Sequence, residues 1–225
     1  MFAGPQKPST FAKWAQVAPK QTIGLVAPFV FTHRVAPTTQ KPWPHDATTG
    51  DFRDSALARA ALEPLAAAVK ELAAKCVVFR SPDTFSASAA NRDQLTKFFT
   101  ELATAEAIGT TRVWVPGGLW EVRAADKLAA ALGIALAFDP LVRAPEEPPE
   151  VHEDLESALY FRIEGAGRAG MIRQERLEDI AALLEHYEPE TDGAETSSAE
   201  GPIVAFASPE RWQDARNFKK LLALG

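Results

Sequence analysis

The chain has 225 residues, 46% of them apolar and 24% charged, with a mean hydropathy of −0.13; that is the composition of a soluble globular protein with a sizeable core. Its net charge of −6 is uneven. Two loops, 144–157 and 188–201, hold eleven of the thirty acidic residues and no Lys or Arg, so the rest is mildly basic, which admits an anionic ligand but falls short of a nucleic-acid footprint.

In chain order, Ser9-Thr10 followed by Phe11, Trp14, Ala15 and Ala18 predicts a helix ending near Pro19. Thr22 to Ala27 predicts a short strand, and Phe29 to Asp51, with its prolines and no period, a long loop. Ser55 to Lys75 carries Leu57, Ala61, Leu62, Leu65, Val69 and Leu72 on one stripe and predicts a helix, which Pro64 should kink or split. A buried strand follows at Cys76 to Phe79, then a helix capped by Asn91 and running through Leu102, and a strand at Arg112 to Val115. The alternation continues with helix Ala124 to Leu132, strand Ile134 to Phe138, strand Ala158 to Ile163, helix Arg173 to His186, strand Ile203 to Phe206 and helix Pro209 to Leu222. Six strands that are apolar throughout, all but one followed by a helix, predict an α/β fold with parallel pairing. An open doubly wound sheet and a (β/α) barrel both fit that pattern.

Several segments, taken in order, resemble the domain-of-unknown-function-72 family (the YecE-like proteins), whose fold is a TIM-type barrel. They are Pro8-Ser9-Thr10-Phe11-Ala12-Lys13-Trp14-Ala15; Val26-Ala27-Pro28 with Thr32-His33; Val78-Phe79-Arg80-Ser81-Pro82-Asp83-Thr84-Phe85; Trp120; Tyr160-Phe161-Arg162-Ile163-Glu164-Gly165; and Phe206 with Ala215-Arg216-Asn217. The resemblance implies one barrel domain over 1–225. It lacks the family's opening Gly-Thr-Ser-Gly-Trp strand and its second strand, so six of eight strands are expected and the barrel is incomplete or continues upstream. Where the family has polar residues facing the mouth, this chain has Val26, Trp114, Pro116, Glu164, Ala207 and Ser208. These departures imply an altered or lost ancestral activity, and the family has no settled reaction to carry over.

The chemistry-bearing residues fall at predicted strand ends. Gly165-Ala166-Gly167-Arg168-Ala169-Gly170 fits Gly-x-Gly-x-x-Gly between a strand and a helix, but no strand-end acid lies about 20 residues on, as a dinucleotide site requires. A glycine turn whose free N–H groups hold a phosphate, with Arg162, Arg168 and Arg173 nearby, is the weaker version that survives. His33, beside Thr32, could act as a general base if Asp139 or Glu164 orients it; the competing reading is a histidine that ties down its loop. No pair of His or Cys has ligand spacing, so no metal is expected, and Cys76 reads as a buried hydrophobe that excludes an internal disulfide. Trp114, Trp120 and Trp212 could stack a ring or simply pack.

The longest apolar run, Ile23 to Phe31, is too short for a membrane span, and the first twenty residues lack the features of an export signal. A cytoplasmic protein with no cofactor and no membrane or nucleic-acid partner is therefore expected. The leading functional expectation is a small anionic, phosphate-bearing ligand at the C-terminal ends of the strands, contacted by Thr32, Arg80, Trp120, Arg162, Gly165, Gly167, Arg168 and Asn217. One alternative is an acid/base enzyme using His33, Asp139 and Glu164. Another is a scaffold whose open barrel edge pairs with a partner or a second copy, giving a homo-oligomer.

Overall fold

The computed structural model describes residues 1–37, 41–141, 148–152, 154–164, 170–187 and 202–223. Its elements are α1 (Pro8–Val17), β1 (Gly24–Val26), α2 (Phe29–Thr32), α3 (Ala56–Leu72), β2 (Cys76–Arg80), α4 (Ala89–Lys97), a wider helical turn at Phe98–Leu102, α5 (Ala105–Ile108), β3 (Thr111–Val115), α6 (Val122–Ala131), β4 (Ala135–Phe138), β5 (Leu159–Ile163), α7 (Gln174–Tyr187), β6 (Ile203–Phe206) and α8 (Arg211–Leu222). The strands are ordered β1-β2-β3-β4-β5-β6, and β1 with β2, β2 with β3, β3 with β4 and β5 with β6 pair in parallel. Chain order without a reversal is the order of a (β/α) barrel. A doubly wound sheet would change direction at a switch point. The fold is thus the α/β, TIM-type arrangement, with six strands among the described residues.

The chain forms two compact units, Met1–Leu136 and Ala137–Gly225. The first has a core of Leu25, Val77, Phe79, Trp114 and Leu136 from its strands, packed on helix residues such as Leu65, Leu95 and Ala129. The second has Phe161, Ile163, Val204 and Phe206 against Leu177, Ile180, Leu183 and Phe218. Side chains alternate across a strand, so the core residues of each strand define its helix-covered face. Val26, Val78, Arg80, Val113 and Val115 therefore face away from the helices in the first unit, and Arg162 does so in the second.

Local differences from the sequence-based expectations have local causes. Pro64 lies inside one continuous α3; it sits on the solvent side with Ala60, where water can satisfy the carbonyl that loses its donor. Ser88, not Asn91, caps α4: its hydroxyl accepts the Asn91 N–H at 3.2 Å, while the Asn91 amide donates to the Ser86 carbonyl at 2.8 Å. The expected loop after β1 begins with the single turn α2. The carbonyls of Val30, Phe31 and Thr32 accept the N–H groups of Gly50, Phe52 and Asp51 at 2.9, 2.7 and 3.1 Å. Three left-handed residues in succession, Gly50, Asp51 and Phe52 (φ 83°, 52° and 57°), aim those donors.

Candidate functional site

In the first unit the strand ends bring together Thr32, His33 and Arg80, with Asp51 and Asp83. Thr32 is buried, and its hydroxyl lies 2.7 Å from Nδ1 of His33. The His33 ring meets the edge of Phe2 at 5.2 Å, and the His33 backbone N–H donates to the Phe29 carbonyl at 2.7 Å. Burial, followed by the Arg80 guanidinium, lowers the His33 pKa, against the opposing pull of Asp51 and Asp83. The shift favours the neutral imidazole. Asp51 is itself held by Arg34 and by Arg53. The backbone of Gly50 lies so close to His33 that a Cβ there would sit 2.5 Å from the His33 carbonyl carbon. Arg80 ends β2 with its side chain exposed.

Trp114 does not face the mouth as its position in the resemblance implies. It shares the helix-covered face with Arg112, is fully buried, and donates its indole N–H to the Ser81 hydroxyl at 2.8 Å. Trp120 crosses it edge-on with ring centres 4.8 Å apart, stacks against Phe85, and donates to the Phe85 carbonyl at 2.8 Å. Arg92 lies over its ring at 5.7 Å. The loops after β2 and β3 approach backbone to backbone here: a Cβ on Gly117 would stand 2.4 Å from the Ser81 carbonyl oxygen. This corner is packed with aromatic rings, and the one polar edge of each indole is already spent. Trp212 is exposed on α8.

In the second unit Asp139, Arg162 and Glu164 converge. Asp139 follows β4 and accepts the N–H groups of Leu141 at 2.9 Å and Glu164 at 2.7 Å. Burial raises its pKa, while the Leu141 N–H and the guanidiniums of Arg162 and Arg176 pull the other way. Arg162 pairs with Glu164, two residues on and on the same face of the strand. The Arg162 side chain is 18% exposed and that of Glu164 is 51% exposed, so the cation is fixed and its carboxylate is at the surface. Gly165, Gly167 and Arg168 lie outside the described residues, as does the acidic stretch 188–201.

Asn217 is placed apart from the strand ends, on α8. Its amide oxygen accepts from Gln213 at 2.9 Å, and it lines a cavity between α7 and α8. His33 lies in one compact unit and Asp139 and Glu164 in the other. Cys76 is buried, and burial pushes its thiol up to about 11. Among the described residues, no three His, Cys, Asp or Glu side chains gather as a metal site, and no helix is long and apolar enough to cross a membrane.

Sequence reasoning missed two buried polar centres. Arg112 is 7% exposed and gives Nη1 to the carbonyls of Phe99 and Ala103 at 3.0 and 3.1 Å, and Nη2 to those of Leu132 and Gly133 at 3.1 and 3.0 Å. Asp214, fully buried on α8, accepts from the Ser208 hydroxyl and from the Ile172 N–H. A charged residue inside an otherwise apolar strand was the available signal for the first. The second had none, because its partners lie in separate segments.

No protein-family model and no curated protein matches the chain. Two crystal structures of a DUF72 family protein from Enterococcus faecalis V583 resemble it in fold, each at 11% sequence identity and over 100% of this chain. The TM-scores are 0.66 and 0.61, with 82% and 87% of those chains covered. At that identity the likeness is one of fold, and it agrees with the sequential parallel order of the strands.

Proposed function

We propose that this protein binds a small phosphate-bearing anion at the C-terminal ends of its strands, with Arg162 as the anchoring cation. The observation that carries this reading is the Arg162–Glu164 pair. A half-buried guanidinium on the face turned away from the helices is matched by an exposed carboxylate from its own strand end. An incoming oxyanion can take the place of Glu164, because a planar guanidinium offers the same fork of donors to carboxylate and phosphate. Asp139 holds the Glu164 backbone N–H, which keeps the exchanging side chain at the strand end. The glycine-rich sequence with Gly165, Gly167 and Arg168 is proposed to add donors to the same anion.

Thermal melts of the full chain with phosphate, sugar phosphates and nucleotides test this reading. A ligand at about 100 times its dissociation constant adds about 2.7 kcal/mol of stability. Arg162→Ala should abolish the shift and Glu164→Gln should strengthen it by removing the competing charge. A shift that survives Arg162→Ala overturns the assignment. The acid/base reading of His33 has one supporting observation, its ring, shifted toward the neutral form, beside the Thr32 hydroxyl; a loss of any anion response in His33→Gln with Arg162 intact would favour it. The scaffold reading draws on β1, a three-residue strand whose one strand neighbour among the described residues is β2. Sedimentation at several concentrations tests whether that edge pairs with a second copy.

A further inference from the structure

We infer that the cavity between α7 and α8 is a second binding site, separate from the Arg162 site, for a small carboxylate with an apolar body. The cavity has a volume of about 300 Å³ and is lined by Ile172, Gln174, Leu177, Asn217, Lys220 and Leu221. Three aliphatic side chains and three polar ones make a lining of the kind that small organic ligands use, an apolar wall with a few fixed polar groups. The polar groups are complementary to an acid. Lys220 supplies a positive charge, and among the described residues no Asp or Glu lines the cavity. The Asn217 amide oxygen is engaged by Gln213 at 2.9 Å, which leaves the NH2 group as a donor. Gln174 gives its own NH2 to Glu178 at 2.9 Å, which leaves an acceptor for a ligand hydroxyl.

The walls are set in advance of any ligand. Leu177 belongs to the buried core of its unit, with Ile172 and Leu221 packed against that core. The rim at Ile172 is pinned by the buried Asp214, whose carboxylate accepts the Ile172 N–H at 3.0 Å and also holds the Ser208 hydroxyl. An apolar body seated against Ile172, Leu177 and Leu221 gains by leaving water, and its carboxylate reaches Lys220 and Asn217. Inorganic phosphate has the charge without the apolar body, so it fits this cavity poorly. That separates it chemically from the strand-end site.

The test is calorimetric titration of the full chain with hexanoate and benzoate, with hexylamine and inorganic phosphate as controls. Backbone amide shifts in α7 and α8 report the location. Both carboxylates should bind saturably and move amides around Ile172, Leu177 and Leu221, and hexylamine should not. Lys220→Glu, an exposed substitution, should weaken hexanoate by at least about tenfold, since it removes a charge-assisted contact and adds repulsion. Asn217→Ala should weaken it by a smaller factor, and Arg162→Ala should leave it unchanged. Absence of saturable carboxylate binding, equal binding of hexylamine, undiminished binding in Lys220→Glu, or loss in Arg162→Ala would each overturn the inference. Failure of the phosphate response at Arg162 would leave it standing.

Discussion

Replacing Arg112 by Met keeps most of the side-chain volume and removes every donor of the guanidinium. Four carbonyls lose a partner, but they are not equivalent. Leu132 and Gly133 are partly or fully exposed, so water can replace the guanidinium there, whereas Phe99 and Ala103 are buried. An unsatisfied buried carbonyl costs about 1–3 kcal/mol, which gives about 2–6 kcal/mol for the two. Relief from burying an arginine, whose desolvation lowers its pKa, offsets part of that cost. The expected net loss is about 3 kcal/mol, or a fall in Tm of about 6–12 °C for a chain of this size. Urea unfolding followed by circular dichroism measures it: the midpoint should fall with the slope unchanged. Arg112→Lys, with a compact ammonium that cannot span two helix ends, should lie between Met and the parent. A Met variant within about 0.5 kcal/mol of the parent would refute the reasoning, because the buried carbonyls would then have found other partners.

Gly50→Ala should cost at least about 2 kcal/mol, from a left-handed φ of 83° and a Cβ driven into the His33 backbone; an unchanged urea midpoint would contradict the close packing of that turn. His33 titrates below its usual value in the folded chain, so the unfolded chain takes up the proton first. Its contribution is fully present above the unfolded value of about 6.5 and is lost as pH falls from there toward the folded value. His33→Gln should therefore lose less stability than the parent between about pH 7.5 and pH 5, and an identical loss would argue against it. Cys76, buried and with its thiol raised to about 11, should resist iodoacetamide in the native chain and react on unfolding; rapid native alkylation, read by mass spectrometry, would contradict its burial.

The strands and most helices were legible because apolar runs and helical stripes are local signals. The short α2 was not: Phe29, Val30 and Phe31 look like a continuation of the preceding apolar run, and what makes a single turn stable there is capping by residues 50–52. The cap of α4 was misread because Ser88 and Asn91 are both good caps, and the choice depends on Asn91 spending its side chain on Ser86. At the site, Thr32 with His33, and Asp139 with Glu164, were legible as strand-end residues. The placement of Asn217 on a helix–helix cavity was not, since its surroundings come from α7 as well as α8.

The two strand arginines show why function was harder to read than fold. Arg112 and Arg162 each sit in a short apolar strand, Thr111–Val115 or Leu159–Ile163, where both neighbouring faces are apolar and no alternation marks which side a charge occupies. Packing settles it. The Arg112 face is covered by helices, so its charge is spent on four backbone carbonyls that no ligand can displace without opening the core. The Arg162 face is turned away from them, so its charge is met by an exposed carboxylate that a ligand can displace. The same residue type therefore predicts opposite behaviour. Arg112→Met should lower stability severely, whereas Arg162→Ala should cost little stability, as expected for a pair with an exposed partner, and remove the anion response. If Arg162→Ala instead unfolds the chain, its guanidinium is structural, and the proposed anion site loses its anchor.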